Sequence, residues 1–96
     1  MTEEQKTLCH QIAAYYGLMH QSLKAVEEMS ELSVELVKYA NNENGDLDRI
    51  LEELADVCIT TEQLRFLMGL NIDGIINRKI KRQLGRIEEE KDKWVI

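Results

Sequence analysis

Hydrophobic residues recur along most of this chain at spacings of three and four, the repeat of an amphipathic helix rather than of a strand. Glycine, asparagine and aspartate separate four such stretches. They predict helices over about 2–16, 20–40, 46–68 and 73–91. Thr2 suits the first N-cap, and Gly17 and Gly69 suit helix ends. Four helices joined by short loops favour an antiparallel packing, so we expect an all-α, four-helix bundle-like domain.

Composition agrees with long helices and a single folded unit. The 96 residues include no proline and only five glycines, and 44% are hydrophobic. A chain of this length supports one core, so we assign one domain to residues 1–96. The two central helices are apolar beyond one face, and so short a chain cannot cover both sides of both. We therefore expect the core to be completed by oligomerisation, as a homodimer or a dimer of dimers.

Charge and hydropathy exclude two classes of partner. A net charge of −6 argues against a general nucleic-acid binder. The longest apolar run is too short to cross a membrane, and no leader segment opens the chain, so we expect no membrane partner and a cytoplasmic location. Cys9 and Cys58 lack a CxxC spacing and neighbouring histidines, which predicts two buried free thiols in a reducing compartment.

The central helices each carry a pair of acids at positions i and i+3, bordered on both sides by apolar residues. These pairs are Glu28 with Glu31 and Glu53 with Asp56. Four carboxylates drawn together beside apolar cover would repel unless they share protons or bind a cation. Ligands that are all carboxylate oxygens favour Mg²⁺, with Mn²⁺ as a second possibility. The alternative is a set of solvated surface acids that bind nothing.

Basic residues provide a second feature of the candidate site. Lys79 and Arg82 follow one edge of the apolar stripe on the last predicted helix, within a segment, "RKIKRQLGR", that contains five bases and no acid. Lys24 and Gln21 lie on the same polar stripe as Glu28. Cations beside a carboxylate-bound metal suit a polyphosphate, because they neutralise the phosphate oxygens that the metal does not contact. The alternative is a solvated basic face.

The acid pairs and their context resemble the MazG-like all-α nucleoside triphosphate pyrophosphohydrolases. "EMSE" (28–31) and "EELAD" (52–56) match the E-x-x-E and E-x-x-D motifs of that family, and the likeness extends over about residues 16–86. The resemblance implies Mg²⁺-dependent hydrolysis of a (deoxy)nucleoside triphosphate to the monophosphate and pyrophosphate. It also implies a helical core completed by dimers or tetramers. Lys79 is not followed by the asparagine that relatives often place there, so base and sugar contacts are not carried over.

The mechanism that the resemblance and the charges favour is metal-assisted in-line displacement. Glu28, Glu31, Glu53 and Asp56 are the expected ligands, and Glu28 and Glu31 are also the candidate general bases. Gln21, Lys24, Lys79 and Arg82 are the expected substrate contacts. Two alternatives stay open: a helical interaction module whose acids form a binding surface, and a metal-bound regulator without turnover.

Overall fold

The computed structural model describes residues 1–94, and every regular element in that range is an α-helix. Helix α1 spans Glu3–Ala40, α2 spans Leu47–Leu67 and α3 spans Asp73–Trp94. The prediction of an all-α fold is confirmed for these residues. Among them, no helix combines the length and the apolar character that a bilayer crossing would require.

The first two predicted helices form one element with a break at Gly17. Helix α1 begins with a capping box, in which Thr2 Oγ1 accepts from the Gln5 amide and the Thr2 amide donates to Gln5 Oε1. Gly17 has φ 83° and ψ 171°, a combination open essentially to glycine alone. The helical conformation resumes immediately after Gly17. The sequence predicts a gap of three residues before His20, whereas the observed break is a single residue.

Helices α1 and α2 pack against each other as an antiparallel pair. Ala13 and Ala25 of α1 are at most 1% exposed and allow close approach. At one end of the pair Gln21 Nε2 donates to Gln63 Oε1 over 2.5 Å, and at the other Glu35 contacts Arg49. Residues on both sides of the Gly17 break therefore reach α2, and the seam between the two helices includes polar as well as apolar side chains.

The loop between α1 and α2 is built from the residues that the sequence marks as turn formers. Asn42 and Asn44 both have φ of 57°, in the left-handed region that asparagine tolerates. Gly45 lies so close to α1 that a Cβ there would approach the Tyr39 Cα to 2.4 Å. This contact requires glycine and holds the start of α2 close to the end of α1.

Helix α3 does not pack against α1 or α2 anywhere in residues 1–94. The four-helix bundle is therefore not formed within one chain, because three helices are present in these residues and only two of them pack together. The radius of gyration is 17.3 Å, against about 12.5 Å for a compact domain of this length. Cys9 is buried as expected, but Cys58 is exposed, since its face of α2 has no cover.

A charged network ties the N-terminal part of α1 to α2. Glu62 Oε2 lies 2.7 Å from His10 Nε2 and 2.6 Å from Arg65 Nη2. The His10 ring stacks on Phe66 with centroids 4.1 Å apart. The hydrogen bonds that the Glu62 carboxylate accepts from Arg65, followed by the one from His10, lower the pKa of Glu62 to about 2. Burial, followed by the charge of Glu62, raises the pKa of the Cys9 thiol.

This network predicts a loss of stability in acid. The pKa of Glu62 in the folded protein lies below its ordinary value of 4.5. The stabilisation that the ionised Glu62 gives the folded state is therefore complete above about pH 4.5 and disappears as the pH falls toward 2. Glu62→Gln should therefore lower the melting temperature at pH 6, by the equivalent of about 1–2 kcal/mol. The difference from wild type should close near pH 2.5 in thermal melts. An equal difference at both pH values would contradict this role.

Candidate functional site

Three acidic side chains converge at the seam between α1 and α2, and a fourth lies beside them. One carboxylate oxygen from each of Glu28, Glu53 and Asp56 lies within 4.8 Å of the others. Glu31 is exposed and lies beside Glu53, whose carboxyl it interacts with. Acids from both pairs are thus brought together across the two helices. We call Glu28, Glu31, Glu53 and Asp56 the acid cluster.

Two oxygens of the acid cluster are buried without a partner. Glu28 is only 5% exposed, although its side chain ends in a carboxyl group. Its Oε2 and the Oε2 of Glu53 are shielded from solvent and have no hydrogen-bond partner within the part of the chain that the structure describes. Buried polar oxygens are nearly always satisfied in folded proteins. These two are therefore available to a ligand that brings positive charge.

The environment of the acid cluster opposes the ionised state of two of its members, Asp56 and Glu31. Burial, followed by the nearby charges of Glu28 and Glu53, raises the pKa of Asp56. The hydrogen bond with Glu53, followed by burial and neighbouring carboxylates, raises the pKa of Glu31. One cation partly compensates: Lys24 Nζ lies 3.1 Å from Glu28 Oε1, and this hydrogen bond raises the lysine pKa. The cluster thus favours a bound cation or added protons.

A cleft of about 460 Å³ extends from the acid cluster along the α1/α2 seam. Its acidic end holds Lys24, Glu27, Glu28 and Asp56. Its other end is aromatic, apolar and amide-bearing, with Ile12, Tyr16, His20, Gln21, Ile59, Thr60 and Gln63. One open groove therefore joins a strongly negative region to a region of rings and uncharged hydrogen-bonding groups.

The predicted substrate contacts divide into two groups. Lys24 and Gln21 both line the cleft, and Gln21 is 4% exposed because it pairs with Gln63 in the seam. Lys79 and Arg82 lie on α3, are exposed, and are not brought to the acid cluster of their own chain, since α3 does not pack on α1 or α2. The expected meeting of acidic and basic surfaces is absent within residues 1–94 of one chain.

Several cleft residues were missed by the sequence analysis. Tyr16 and His20 stack with ring centroids 4.5 Å apart and an interplanar angle of 15°. Thr60 and Gln63 continue the stripe of Asp56 at i+4 and i+7, a spacing that places all three on one face of α2. That spacing was the available signal. Uncharged polar residues are common on the exposed surfaces of helices, so this spacing alone did not indicate that Thr60 and Gln63 line a cleft.

A second buried acid borders the cluster on its other side. Glu35 is 5% exposed, and its Oε1 lies 3.4 Å from Arg49 Nε and 3.9 Å from Lys38 Nζ. The two cations neutralise this carboxylate, in contrast with the unpartnered oxygens of the acid cluster. Glu35 is therefore a structural link between α1 and α2.

Comparisons of the chain with protein-family models, with curated proteins and with solved structures found no match.

Proposed function

We propose that this protein hydrolyses a (deoxy)nucleoside triphosphate to the monophosphate and pyrophosphate with the help of Mg²⁺, in nucleotide-pool housekeeping. The observation that carries the proposal is the acid cluster, in which Glu28, Glu53 and Asp56 converge within 4.8 Å and two buried oxygens have no hydrogen-bond partner among residues 1–94. The cleft supports it further, because its acidic end suits a metal-bound triphosphate and its aromatic and amide end suits a nucleoside.

The donor set fits a hard divalent cation. All available ligand atoms are carboxylate oxygens, which Mg²⁺ and Mn²⁺ prefer. Glu28, Glu31, Glu53 and Asp56 would hold the ion, and the unpartnered oxygens of Glu28 and Glu53 are the atoms that most need it. A bound Mg²⁺ would supply Lewis-acid polarisation of the phosphates and would offset their negative charge.

The residues of the chain have distinct roles in the proposed reaction. A water oxygen attacks the α-phosphorus while Glu31 or Glu28 accepts a proton from that water. The bond from the α-phosphorus to the bridging oxygen breaks, and pyrophosphate leaves with that oxygen. Lys24, which already lies beside Glu28, is placed to offset charge on the phosphates. Gln21 and Gln63 offer amide groups at the nucleoside end of the cleft.

The working assembly is proposed to be a homodimer or a dimer of dimers. The accessible surface of one chain is 7820 Å², whereas a compact protein of this mass exposes about 5,700 Å². Much of the additional surface is apolar, and it includes large side chains along all three helices. Association of identical chains would cover this surface.

Release of pyrophosphate tests the proposed activity. The protein is incubated with each common NTP and dNTP, with Mg²⁺ or with chelator, and pyrophosphate and orthophosphate are measured separately. We expect pyrophosphate with at least one nucleotide, only when Mg²⁺ is present. Orthophosphate as the first product, or no product from any nucleotide with either Mg²⁺ or Mn²⁺, would contradict the proposal.

The exposed apolar surface also favours a second candidate, a helical interaction module without turnover. In that case the acid cluster would be only part of a binding surface, and neither melting nor partner binding would depend on divalent ions.

A regulator that binds metal but does not hydrolyse nucleotide is distinguished by a different pair of results. Mg²⁺ would raise its melting temperature by mass action, yet no nucleotide would be cleaved.

A further inference from the structure

A second pocket borders the acid cluster. It has a volume of about 370 Å³ and is lined by Glu31, Val34, Glu35, Lys38, Arg49 and Glu53. Two acids of the cluster, Glu28 and Asp56, line the cleft described above, whereas the other two line this second pocket. The acid cluster therefore lies between two cavities. We call the second one the distal pocket.

The two cavities extend from the acid cluster in opposite directions along the α1/α2 seam. In one direction, the next turn of each helix contributes Lys24 of α1 and Thr60 of α2 to the cleft. In the other direction, the next turn contributes Glu35 of α1 and Arg49 of α2 to the distal pocket. One turn advances about 5.4 Å along a helix. A linear ligand therefore fits across the acid cluster with one end in each cavity.

The two cavities differ in the charges that lie outside the acid cluster. The cleft has one cation, Lys24, and one carboxyl group, that of Glu27. The distal pocket has two cations, Lys38 and Arg49, against the single carboxyl group of Glu35. The distal pocket therefore has a surplus of positive charge that the cleft lacks, and it is the better place for the most negative part of a ligand.

Glu35 contacts both cations of the distal pocket without engaging them fully. Its Oε1 lies 3.4 Å from Arg49 Nε and 3.9 Å from Lys38 Nζ, beyond the roughly 2.7–2.9 Å of a charge-assisted hydrogen bond. By comparison, Arg65 Nη2 approaches Glu62 Oε2 to 2.6 Å. The Lys38 and Arg49 side chains are also 47% and 62% exposed. Their N–H groups are therefore accessible to a ligand that brings several acceptor oxygens.

We propose that the distal pocket binds the two terminal phosphates of the nucleotide, and then the leaving pyrophosphate, while the nucleoside lies in the cleft. The identity of the ligand rests on the proposed function. In this orientation the bond to be broken lies at the acid cluster. The planar fork of Arg49 can donate to two phosphate oxygens, and Lys38 adds a second positive charge. Glu35 is a positioning residue that keeps both side chains at the pocket.

Titration calorimetry with inorganic pyrophosphate and Mg²⁺ tests the distal pocket without any turnover. We expect wild-type protein to bind pyrophosphate, and Lys38→Gln and Arg49→Gln to bind it about 10-fold or more weakly, because each loses a charge-assisted hydrogen bond. Lys6→Gln is the matched control, since Lys6 pairs with Glu3 at the same i and i+3 spacing but lines neither cavity. No binding by wild type, or unchanged affinity in Lys38→Gln and Arg49→Gln, would overturn the proposal.

A nucleoside monophosphate tests the orientation, because it lacks the two terminal phosphates. The monophosphates of the common nucleosides are titrated in the same buffer, and the affinity of each for wild type and for Arg49→Gln is compared. We expect less than a 2-fold change, in contrast to the loss of pyrophosphate affinity in the same variant. A loss of monophosphate affinity as large as that for pyrophosphate would place the nucleoside end in the distal pocket and overturn the orientation.

A purely structural role for Arg49, in which it only neutralises the buried Glu35, predicts a different result. Removing Arg49 alone leaves this carboxylate with one cation fewer, whereas the double variant Glu35→Gln/Arg49→Gln also removes the charge that needed neutralising. Urea denaturation should show that the double variant regains stability relative to Arg49→Gln. Pyrophosphate should still bind weakly to it, because the guanidinium is absent. Recovery of binding together with stability would overturn a phosphate-binding role.

The same titrations separate this proposal from the proposed function. If no nucleotide is hydrolysed, yet pyrophosphate binds in a manner that depends on Lys38 and Arg49, the proposed activity is wrong and the distal pocket stands. If pyrophosphate is released from a nucleotide but binds equally well to Lys38→Gln, Arg49→Gln and wild type, the activity stands and the assignment of the distal pocket is wrong.

Discussion

Replacing Glu53 by glutamine is expected to lower pyrophosphate release by roughly 100-fold or more, because an amide is a poor ligand for Mg²⁺. The substitution retains the size of the side chain and removes one charge from the acid cluster. The Oε2 atom of Glu53 is one of the two buried oxygens without a partner. The measurement is the initial rate of pyrophosphate release at saturating nucleotide, together with melting curves in Mg²⁺ and in chelator.

The melting temperature of Glu53→Gln shows whether Glu53 is a metal ligand or an acid that stabilises the fold. In chelator, Glu53→Gln should melt at the wild-type temperature or above it, since one member of a repelling cluster has been removed. The increase in melting temperature that Mg²⁺ confers should shrink. Glu43→Gln is the matched control, because it removes the same charge from the exposed α1/α2 loop and should change neither quantity. A Glu53→Gln variant that stays active, or that melts much earlier in chelator, would contradict the site.

Replacing Gly17 by alanine is expected to destabilise the protein by about 1–3 kcal/mol, because its backbone conformation excludes an ordinary side chain. The strain comes from the backbone angles of Gly17, φ 83° and ψ 171°. It does not come from steric crowding by neighbouring residues, since a Cβ at Gly17 would meet nothing within 4 Å. Urea denaturation in chelator, at one fixed protein concentration, measures the effect. Fixed concentration matters because an oligomer gains stability as its concentration rises.

Gly85→Ala is the matched control for Gly17→Ala. Gly85 lies within α3 and also has nothing within 4 Å of an added Cβ, but it has no unusual φ. Alanine there should stabilise the protein by about 0.5–1 kcal/mol, the usual gain for a glycine inside a helix. If both substitutions change the free energy of unfolding in the same direction, the break at Gly17 does not carry the strain assigned to it.

The pairing of the acids within each helix could be predicted from the sequence because that information is local. The i and i+3 spacing places Glu28 with Glu31 and Glu53 with Asp56 whatever the rest of the chain does. The helix ends at Ala40 and near Met68 were also predicted, since asparagine and glycine terminate helices through their own backbone preferences. That the two acid pairs face each other depends on tertiary packing. The apolar residues that border each pair indicated this arrangement.

The remaining features depend on contacts between residues far apart in the sequence. The pairing of Gln21 with Gln63 joins residues 42 positions apart, and neither glutamine is distinguished by its neighbours. The separation of α3 from the other helices arises from a connection in which Arg65 binds both a carboxylate and a loop carbonyl. Hydrophobic patterning predicts that a helix has an apolar face, but it does not predict which chain covers that face.

The amide pair between Gln21 and Gln63 has a consequence for how α1 and α2 align. A seam built mainly from small side chains such as Ala13 and Ala25 would tolerate sliding of one helix along the other. A slide by one turn, about 5.4 Å, would separate the two amides and leave them buried without partners. The same slide would part Glu28 from Asp56. Two uncharged side chains, insensitive to pH, thus fix the register on which the spacing of the carboxylates depends.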